Sequence, residues 1–185
     1  MNFLRTARRG ALVGLFALSG CSWLPSLPDI HSPFSSGPSE ACPATVILHP
    51  LANTAVFAPG RPPEPGNVAF YGVLDDVSSK CDYSGDNLQV SLNVVVIGQR
   101  GPAARGDQVD LNYFVALTGP NRTILAKKPF AVHIAFAPGR PRAGVTDHIE
   151  ETIPLAGHKP NTLEIVLGFQ QSPAVVDFYR HFHGR

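Results

Sequence analysis

Residues 88–96 read LQVSLNVVV, and this stretch decides the fold. Leu88, Val90 and Leu92 are apolar, and the residues between them are polar. A period of two is typical of a β-strand with one face on a core and the other in solvent. The same alternation recurs in six further stretches, at residues 45–48, 68–74, 111–117, 130–136, 145–153 and 163–169.

Clusters of glycine, proline and asparagine separate these stretches, and no long helical period lies among them. About seven short strands with such turns predict an all-β chain, folded as an immunoglobulin-like antiparallel β-sandwich. The single tryptophan, Trp23, precedes all the strands, so the buried tryptophan of antibody domains is missing. A small barrel is the alternative architecture.

One helix is predicted at the end of the chain. Ser172 is suited to capping its first free N–H groups, and Pro173 fits the first helical position. Val175, Tyr179 and Phe182 then recur at helical spacing. The helix is expected to lie along the sandwich and cover a sheet edge or end, and the alternative is that Tyr179 and Phe182 form a docking surface for a partner.

The size and charge of the chain exclude several classes of protein. With 185 residues, 44% of them hydrophobic and 16% charged, the chain suits one domain. Its 15 basic and 14 acidic residues are not gathered into runs. We therefore expect no binding to nucleic acid.

The amino-terminal segment carries a targeting signal. Arg5, Arg8 and Arg9 precede an apolar stretch at residues 11–18, which is too short to span a bilayer and indicates a cleaved secretory signal. Residues 18–21, LSGC, resemble the bacterial lipobox. That resemblance implies cleavage after Gly20 and lipidation of Cys21, by a diacylglyceryl thioether and by acylation of the new amino terminus.

The segment after the lipobox predicts a tether. Residues 22–41 read SWLPSLPDIHSPFSSGPSEA, with scattered proline and serine and no apolar period. The chain thus divides into a lipoprotein signal peptide at 1–20, the lipidated cysteine and flexible tether at 21–41, and the β-sandwich with its helix at 42–185. Ser22, rather than aspartate, follows the cysteine, which favours sorting to the outer membrane, facing the periplasm.

With Cys21 lipidated, Cys42 and Cys81 are the two remaining thiols in an oxidising compartment. We expect them to form a structural disulfide. The alternative is a redox or metal pair, but such motifs usually hold their cysteines two to four residues apart.

The search for catalytic groups predicts no enzyme and no cofactor. The sequence has no Gly-x-Ser-x-Gly elbow, no His-Glu-x-x-His and no glycine-rich phosphate loop. The acidic pairs Asp75-Asp76 and Glu150-Glu151 lie in strand-like stretches, so the two side chains of each pair are expected on opposite faces. The seven histidines are interpreted as surface residues, and no metal site is predicted.

A six-residue turn occurs twice. Residues 57–62 and 136–141 both read FAPGRP, which indicates two strand ends with the same turn chemistry or a duplicated half-domain. These turns place Arg61, Arg140 and Arg142 on loops. There they are either solvated or able to bind a carboxylate or phosphate of an envelope polymer.

The part of the chain after Cys21 also resembles a family of uncharacterised lipoproteins from alphaproteobacterial envelopes. The matching segments are Cys42-Pro43, Cys81-Asp82-Tyr83, residues 100–104, Tyr113-Phe114-Val115, Leu125-Ala126-Lys127 leading to Phe130, and Gly168-Phe169-Gln170 before Ser172-Pro173. The resemblance implies a one-domain lipoprotein with no assigned activity, and it implies no binding residues.

Together these features predict a membrane-anchored lipoprotein of the bacterial cell envelope. We expect it to serve as a non-enzymatic accessory or protein-interaction module with an envelope protein partner. A periplasmic carrier of a small ligand or metal is the alternative, and a hydrolase acting on envelope polymers is a third hypothesis.

Overall fold

The structure is a computed structural model, and it describes residues 42–181. These residues form eight strands and one α-helix. The elements are β1 (Ala44–Ile47), β2 (Asn53–Phe57), β3 (Val68–Ser84), β4 (Asn87–Arg100), β5 (Gln108–Thr118), β6 (Ile124–Ala135), β7 (Arg142–Pro154), β8 (Glu164–Phe169) and α1 (Pro173–His181).

The strands form two four-stranded sheets that pack as a sandwich. The β5 sheet has the order β1-β8-β5-β6, and the β4 sheet has the order β2-β3-β4-β7. Alternate residues of both sheets meet between them, with Tyr113, Phe169 and Leu88 among the largest fully buried side chains. The predicted sandwich is confirmed, and the immunoglobulin-like topology stays a prediction.

The sequence predicts about seven strands, and the structure has eight in the described residues. The additional strand is β2, in which Thr54 and Ala55 are both buried. Thr54 faces the core beside Gly72, whereas Ala55 packs with Phe178 of α1 on the other face of the sheet. Because both faces of β2 are covered, its sequence lacks the alternation that marks the other strands.

Strand β3 changes direction at a bulge. Leu74 pairs with Val96 and Asp76 pairs with Val95, so Asp75 is the extra residue. Side chains on opposite faces of a regular strand, as predicted for Asp75 and Asp76, would leave one of the two exposed. This expectation is wrong, because the bulge interrupts the alternation and both are exposed. Only the part of β3 before the bulge pairs with β2.

A disulfide joins the two sheets beside the second half of β3. Cys42 precedes β1 in the β5 sheet, and it is bonded to Cys81 of β3 in the β4 sheet with a Cα–Cα distance of 5.8 Å. The Thr45 hydroxyl donates a hydrogen bond to the Ser79 hydroxyl across the same seam. The predicted structural disulfide is therefore confirmed.

Helix α1 begins where the sequence predicts. The Val175 amide donates a hydrogen bond to the Ser172 hydroxyl at 3.3 Å, and Pro173 is the first helical residue. Its Phe178 packs against Ala55 and Val68, on the outer side of the β4 sheet. No helix of residues 42–181 is long and apolar enough to cross a membrane.

Candidate functional site

The two ends of β4 define two different surfaces. The end of β4 at Arg100 lies beside the loops at residues 58–67, 100–107 and 136–141. We call this surface the loop end. The other end of β4, at Asn87, lies at the β3–β4 hairpin, where Cys81 of β3 is the strand-pairing partner of Val90. We call this the anchor end, since the described chain begins there at Cys42. The 14 residues of β4 separate the two ends by roughly 40 Å.

Hydrogen bonds join two of the loops at the loop end, those at residues 100–107 and 136–141. The Arg100 guanidinium donates to the carbonyl oxygens of Gly106 and Arg140, and it stacks on the Phe136 ring at 4.8 Å. The Phe136 amide donates to the Asp107 carbonyl at 2.7 Å. Arg100 therefore has a structural role, because it connects the loop that follows β4 to the loop that follows β6.

The loop at residues 100–107 also packs closely on the start of β3. A Cβ atom at Gly101 would lie 2.2 Å from the Val68 carbonyl oxygen, so glycine is required there. The Gly101 amide donates to the Ala69 carbonyl, and the Ala103 amide donates to the Val68 carbonyl. These contacts fix the path of the chain up to Arg105.

The repeated FAPGRP segments form the same turn twice. Gly60 and Gly139 both have φ of +72°. The Arg61 amide donates to the Ala58 carbonyl at 3.1 Å, and the Arg140 amide donates to the Ala137 carbonyl at 3.0 Å. Proline followed by glycine with positive φ is the composition of a type II turn. Shared turn chemistry thus accounts for the repeat, and both turns lie at the loop end.

Four exposed arginines surround the loop end. Arg61 and Arg105 line one open depression of about 840 Å³ with Pro59 and Pro102. Arg140 lies in the second repeated turn, and Arg142 is the first residue of β7. None of the four makes an ion pair within residues 42–181.

The loop end has a net positive charge. Including Arg142 and the structural Arg100, it carries five arginines, against the acidic residues Glu64 and Asp107. The described chain as a whole is slightly acidic, with 11 lysines and arginines and 12 aspartates and glutamates. The positive charge is therefore concentrated at one end of the sandwich, which is a suitable binding surface for carboxylates or phosphates.

A second feature lies toward the anchor end, where the free edges of the two sheets, β6 and β7, run side by side. A cavity of about 290 Å³ opens between them. Its walls are inward-facing apolar side chains of β4, β5 and β8, including Val90, Leu92, Leu117 and Ile165. At its mouth the Lys128 ammonium of β6 pairs with the Glu151 carboxylate of β7 at 2.5 Å.

A buried hydrogen bond closes the same seam beyond the cavity. The Tyr113 hydroxyl of β5 donates to an Asp147 carboxylate oxygen of β7 at 2.8 Å, and Phe130 stacks on the Tyr113 ring. Burial, together with the hydrogen bond to Asp147 and its negative charge, raises the pKa of Tyr113 well above its usual value. Tyr113 thus stays protonated and joins the two sheets.

The predicted docking helix is largely a packing element. Tyr179 is half-buried, contacts the Phe178 ring edge-on at 5.3 Å, and has a pKa raised to about 12 by burial and then by nearby Tyr71. The helix packs on the outer face of β3 and of β2, which is an edge strand of the β4 sheet. Phe182 lies outside the described residues, as do Cys21, the signal peptide and the tether.

The histidines of the described strands are exposed, as predicted. His133 pairs with Asp110 at 2.7 Å, and His148 hydrogen-bonds to Asn93 at 2.6 Å, each across neighbouring strands. Within residues 42–181, no three His, Cys, Asp or Glu side chains are grouped so that they could hold a metal ion.

Sequence reasoning identified three of the loop-end arginines and missed two. Arg100 and Arg105 lie at and just after the end of β4, in a glycine-rich segment. Two strands, β3 and β4, separate this segment from the loop of Arg61. An even number of strands brings the chain back to the same end of the sandwich, and this would have indicated that the arginines share an end. Lys128 and Glu151 of the cavity mouth were also missed. No local pattern marks them, because their meeting depends on which strands form the free edges.

Comparison of the chain with protein-family profiles, with characterised proteins and with solved structures finds no match. The loop end and the cavity must therefore be interpreted from their own geometry and chemistry.

Proposed function

We propose that this protein is a lipid-anchored, non-enzymatic accessory protein of the bacterial cell envelope, and that its loop end binds an acidic surface of a protein partner. The observation that supports this most directly is the presence of four exposed arginines, Arg61, Arg105, Arg140 and Arg142, at the loop end, where Arg61 and Arg105 line one depression. Hydrogen bonds already hold the backbone of the loops at 100–107 and 136–141, so ordering this backbone on binding costs little entropy.

Arginine is well suited to this role. Its planar guanidinium donates paired hydrogen bonds to carboxylates, and it is enriched at the energetic centres of protein interfaces. Exposed prolines of the same loops, Pro59 and Pro102, supply rigid apolar contact surface beside Arg61 and Arg105. A protein with an acidic patch fits this combination better than a free phosphate, which would use the charges alone.

The position of the loop end agrees with anchoring through Cys21. The tether joins the domain at Cys42, at the anchor end, and its 20 residues reach about 60 Å when extended. A tether of that length would leave the loop end accessible to a partner in the periplasm.

We propose in addition that the sandwich is of the immunoglobulin-like kind and that the chain is related to alphaproteobacterial envelope lipoproteins. Of the alternative functions, a carrier of a small ligand is favoured by one observation, the cavity between β6 and β7. The cavity involves different residues from the loop end and lies at the other end of the sandwich.

The experiment is chemical crosslinking in living cells, followed by detergent extraction and mass spectrometry. Three proteins are compared: the native chain, the unanchored Cys21→Ala variant, and a variant with Arg61, Arg105, Arg140 and Arg142 all changed to Gln. We expect one partner to crosslink to the native chain, to disappear with Cys21→Ala, and to fall at least tenfold with the arginine variant. Lys80→Gln/Lys159→Gln, two exposed charges outside the loop end, is the matched control.

Two outcomes would overturn the proposal. A partner retained by the arginine variant would show that binding uses another surface. A crosslinked species that a muramidase reduces to the mass of this protein alone, and in which mass spectrometry finds no second polypeptide, would show that the arginines hold an envelope polymer instead of a protein.

A further inference from the structure

The seam between β6 and β7 differs along its length. Both strands are edge strands, and no backbone ladder joins them. Toward the loop end the inward residues of β6, Val132 and Ile134, are buried. Toward the anchor end the inward positions of β6 are Lys128 and Ala126, both exposed. Buried side chains of β6 thus cover the core in one half of the seam, and exposed side chains of β6 border it in the other.

The second half of the seam holds the cavity. Val90 and Leu92 from the β4 sheet face Val115 and Leu117 from the β5 sheet, and Ile165 completes the wall. Ala126, opposite Leu117, is too small to fill the gap between β6 and β7. The buried wall residues are at most 5% exposed, so the cavity is apolar and shielded from water, which suits an apolar ligand.

The mouth of the cavity carries one ion pair. Lys128 is 61% exposed there and is paired with Glu151 of β7. Lys127 lies on the other face of β6, where its ammonium is 4.0 Å from the centre of the Phe114 ring. Lys128 is thus the cation at the mouth that can meet an anionic head group.

The ion pair at the mouth can open at little cost. An exposed lysine–glutamate pair contributes little to stability, so a ligand that offers its own carboxylate to Lys128 loses little by displacing Glu151. The volume of about 290 Å³ is at the small end of the ligand-pocket range, which suits one alkyl chain rather than the two chains of a phospholipid.

We propose that this cavity is a binding site for a single-chain fatty acid, with the alkyl chain between the sheets and the carboxylate at Lys128. The site is distinct from the loop end in position and in chemistry. It requires neither the lipid on Cys21 nor a protein partner.

The test uses the whole chain from residue 22 onward, exported so that the Cys42–Cys81 disulfide forms. Titration calorimetry measures binding of decanoate and of decanol, which share an alkyl chain and differ in charge. We expect saturable binding of both ligands with one site per chain. In Lys128→Gln the ratio of the decanoate affinity to the decanol affinity should fall about fivefold, the size of one exposed charge pair.

A second pair of variants tests the location of the chain. Ala126→Phe places a ring at the cavity, whereas Ala131→Phe adds the same ring to an exposed position on the other face of β6. Ala126→Phe should weaken binding of both ligands at least tenfold, and Ala131→Phe should leave it unchanged. Thermal unfolding of both variants shows that each is folded.

Absence of saturable binding, or equal binding by Ala126→Phe and Ala131→Phe, would overturn this proposal. An unchanged decanoate-to-decanol ratio in Lys128→Gln would refute the role of the charge. Because all these variants leave the loop-end arginines intact, their failure would not affect the proposed partner binding, and the crosslinking results would not affect the cavity.

Discussion

At the residue scale, one polar pair inside the sandwich stands out. Tyr113 is fully buried at the centre of β5, yet it carries a hydroxyl that must find a partner. Asp147 of β7 accepts its hydrogen bond at 2.8 Å and so satisfies it across the two sheets. This bond stabilises the seam between β6 and β7 next to the open cavity.

Tyr113→Phe should lower the free energy of unfolding by about 2 kcal/mol at neutral pH, because it removes a hydrogen bond to a charged group and leaves Asp147 unpaired. The raised pKa of Tyr113 makes this cost depend on pH. The stabilisation is complete below the unfolded pKa of about 10 and declines as the pH rises above it. At about pH 11 the cost should therefore be smaller by about 1.4 kcal/mol.

Urea unfolding of the native chain and of Tyr113→Phe at both pH values measures this difference. Asp147→Asn, which keeps a hydrogen-bond acceptor but removes the charge, is the control and should cost less than Tyr113→Phe. A cost for Tyr113→Phe that is the same at both pH values would show that the hydroxyl does not stay protonated in the folded chain.

At the scale of elements, β1 is the most weakly supported strand. It has four residues, pairs only with β8, and lies at the edge of the β5 sheet. The disulfide from Cys42 to Cys81 and the hydrogen bond between Thr45 and Ser79 attach it to β3. These two links close the side of the sandwich where β3 has turned away from β2 at the Asp75 bulge.

Replacing both Cys42 and Cys81 by Ser should lower the free energy of unfolding by roughly 4 kcal/mol, because the bond closes a loop of about 40 residues in the unfolded chain. Hydrogen exchange should also show the amides of β1 losing protection before those of β5. Thr45→Val, which removes only the hydrogen bond, is the control and should cost about 1 kcal/mol. A loss below 1 kcal/mol for the double variant would mean that β1 is held by β8 alone.

At the scale of the whole molecule, the sequence predicted the sandwich from alternation in β4, β5 and β8. It missed β2, whose two faces are both covered, and the second half of β3, whose polar residues hide its period. It also predicted loop arginines from turn chemistry. It could not predict the cavity, because Lys128, Glu151 and Tyr113 are brought together by strand order, which local patterns do not encode.

The molecule therefore has two chemically different ends. Exposed arginines gather at the loop end, and the cavity, the disulfide and the start of the domain lie toward the anchor end. The central claim is that the loop end binds the partner.

The most direct test is photo-crosslinking in cells, with a photoreactive amino acid placed at Pro63 of the loop end or at Asp86 of the β3–β4 hairpin, both exposed. The account predicts one discrete protein adduct from position 63, abolished by changing Arg61, Arg105, Arg140 and Arg142 to Gln, and no such adduct from position 86. An adduct from position 86 alone, or one from position 63 that survives the arginine changes, would contradict it.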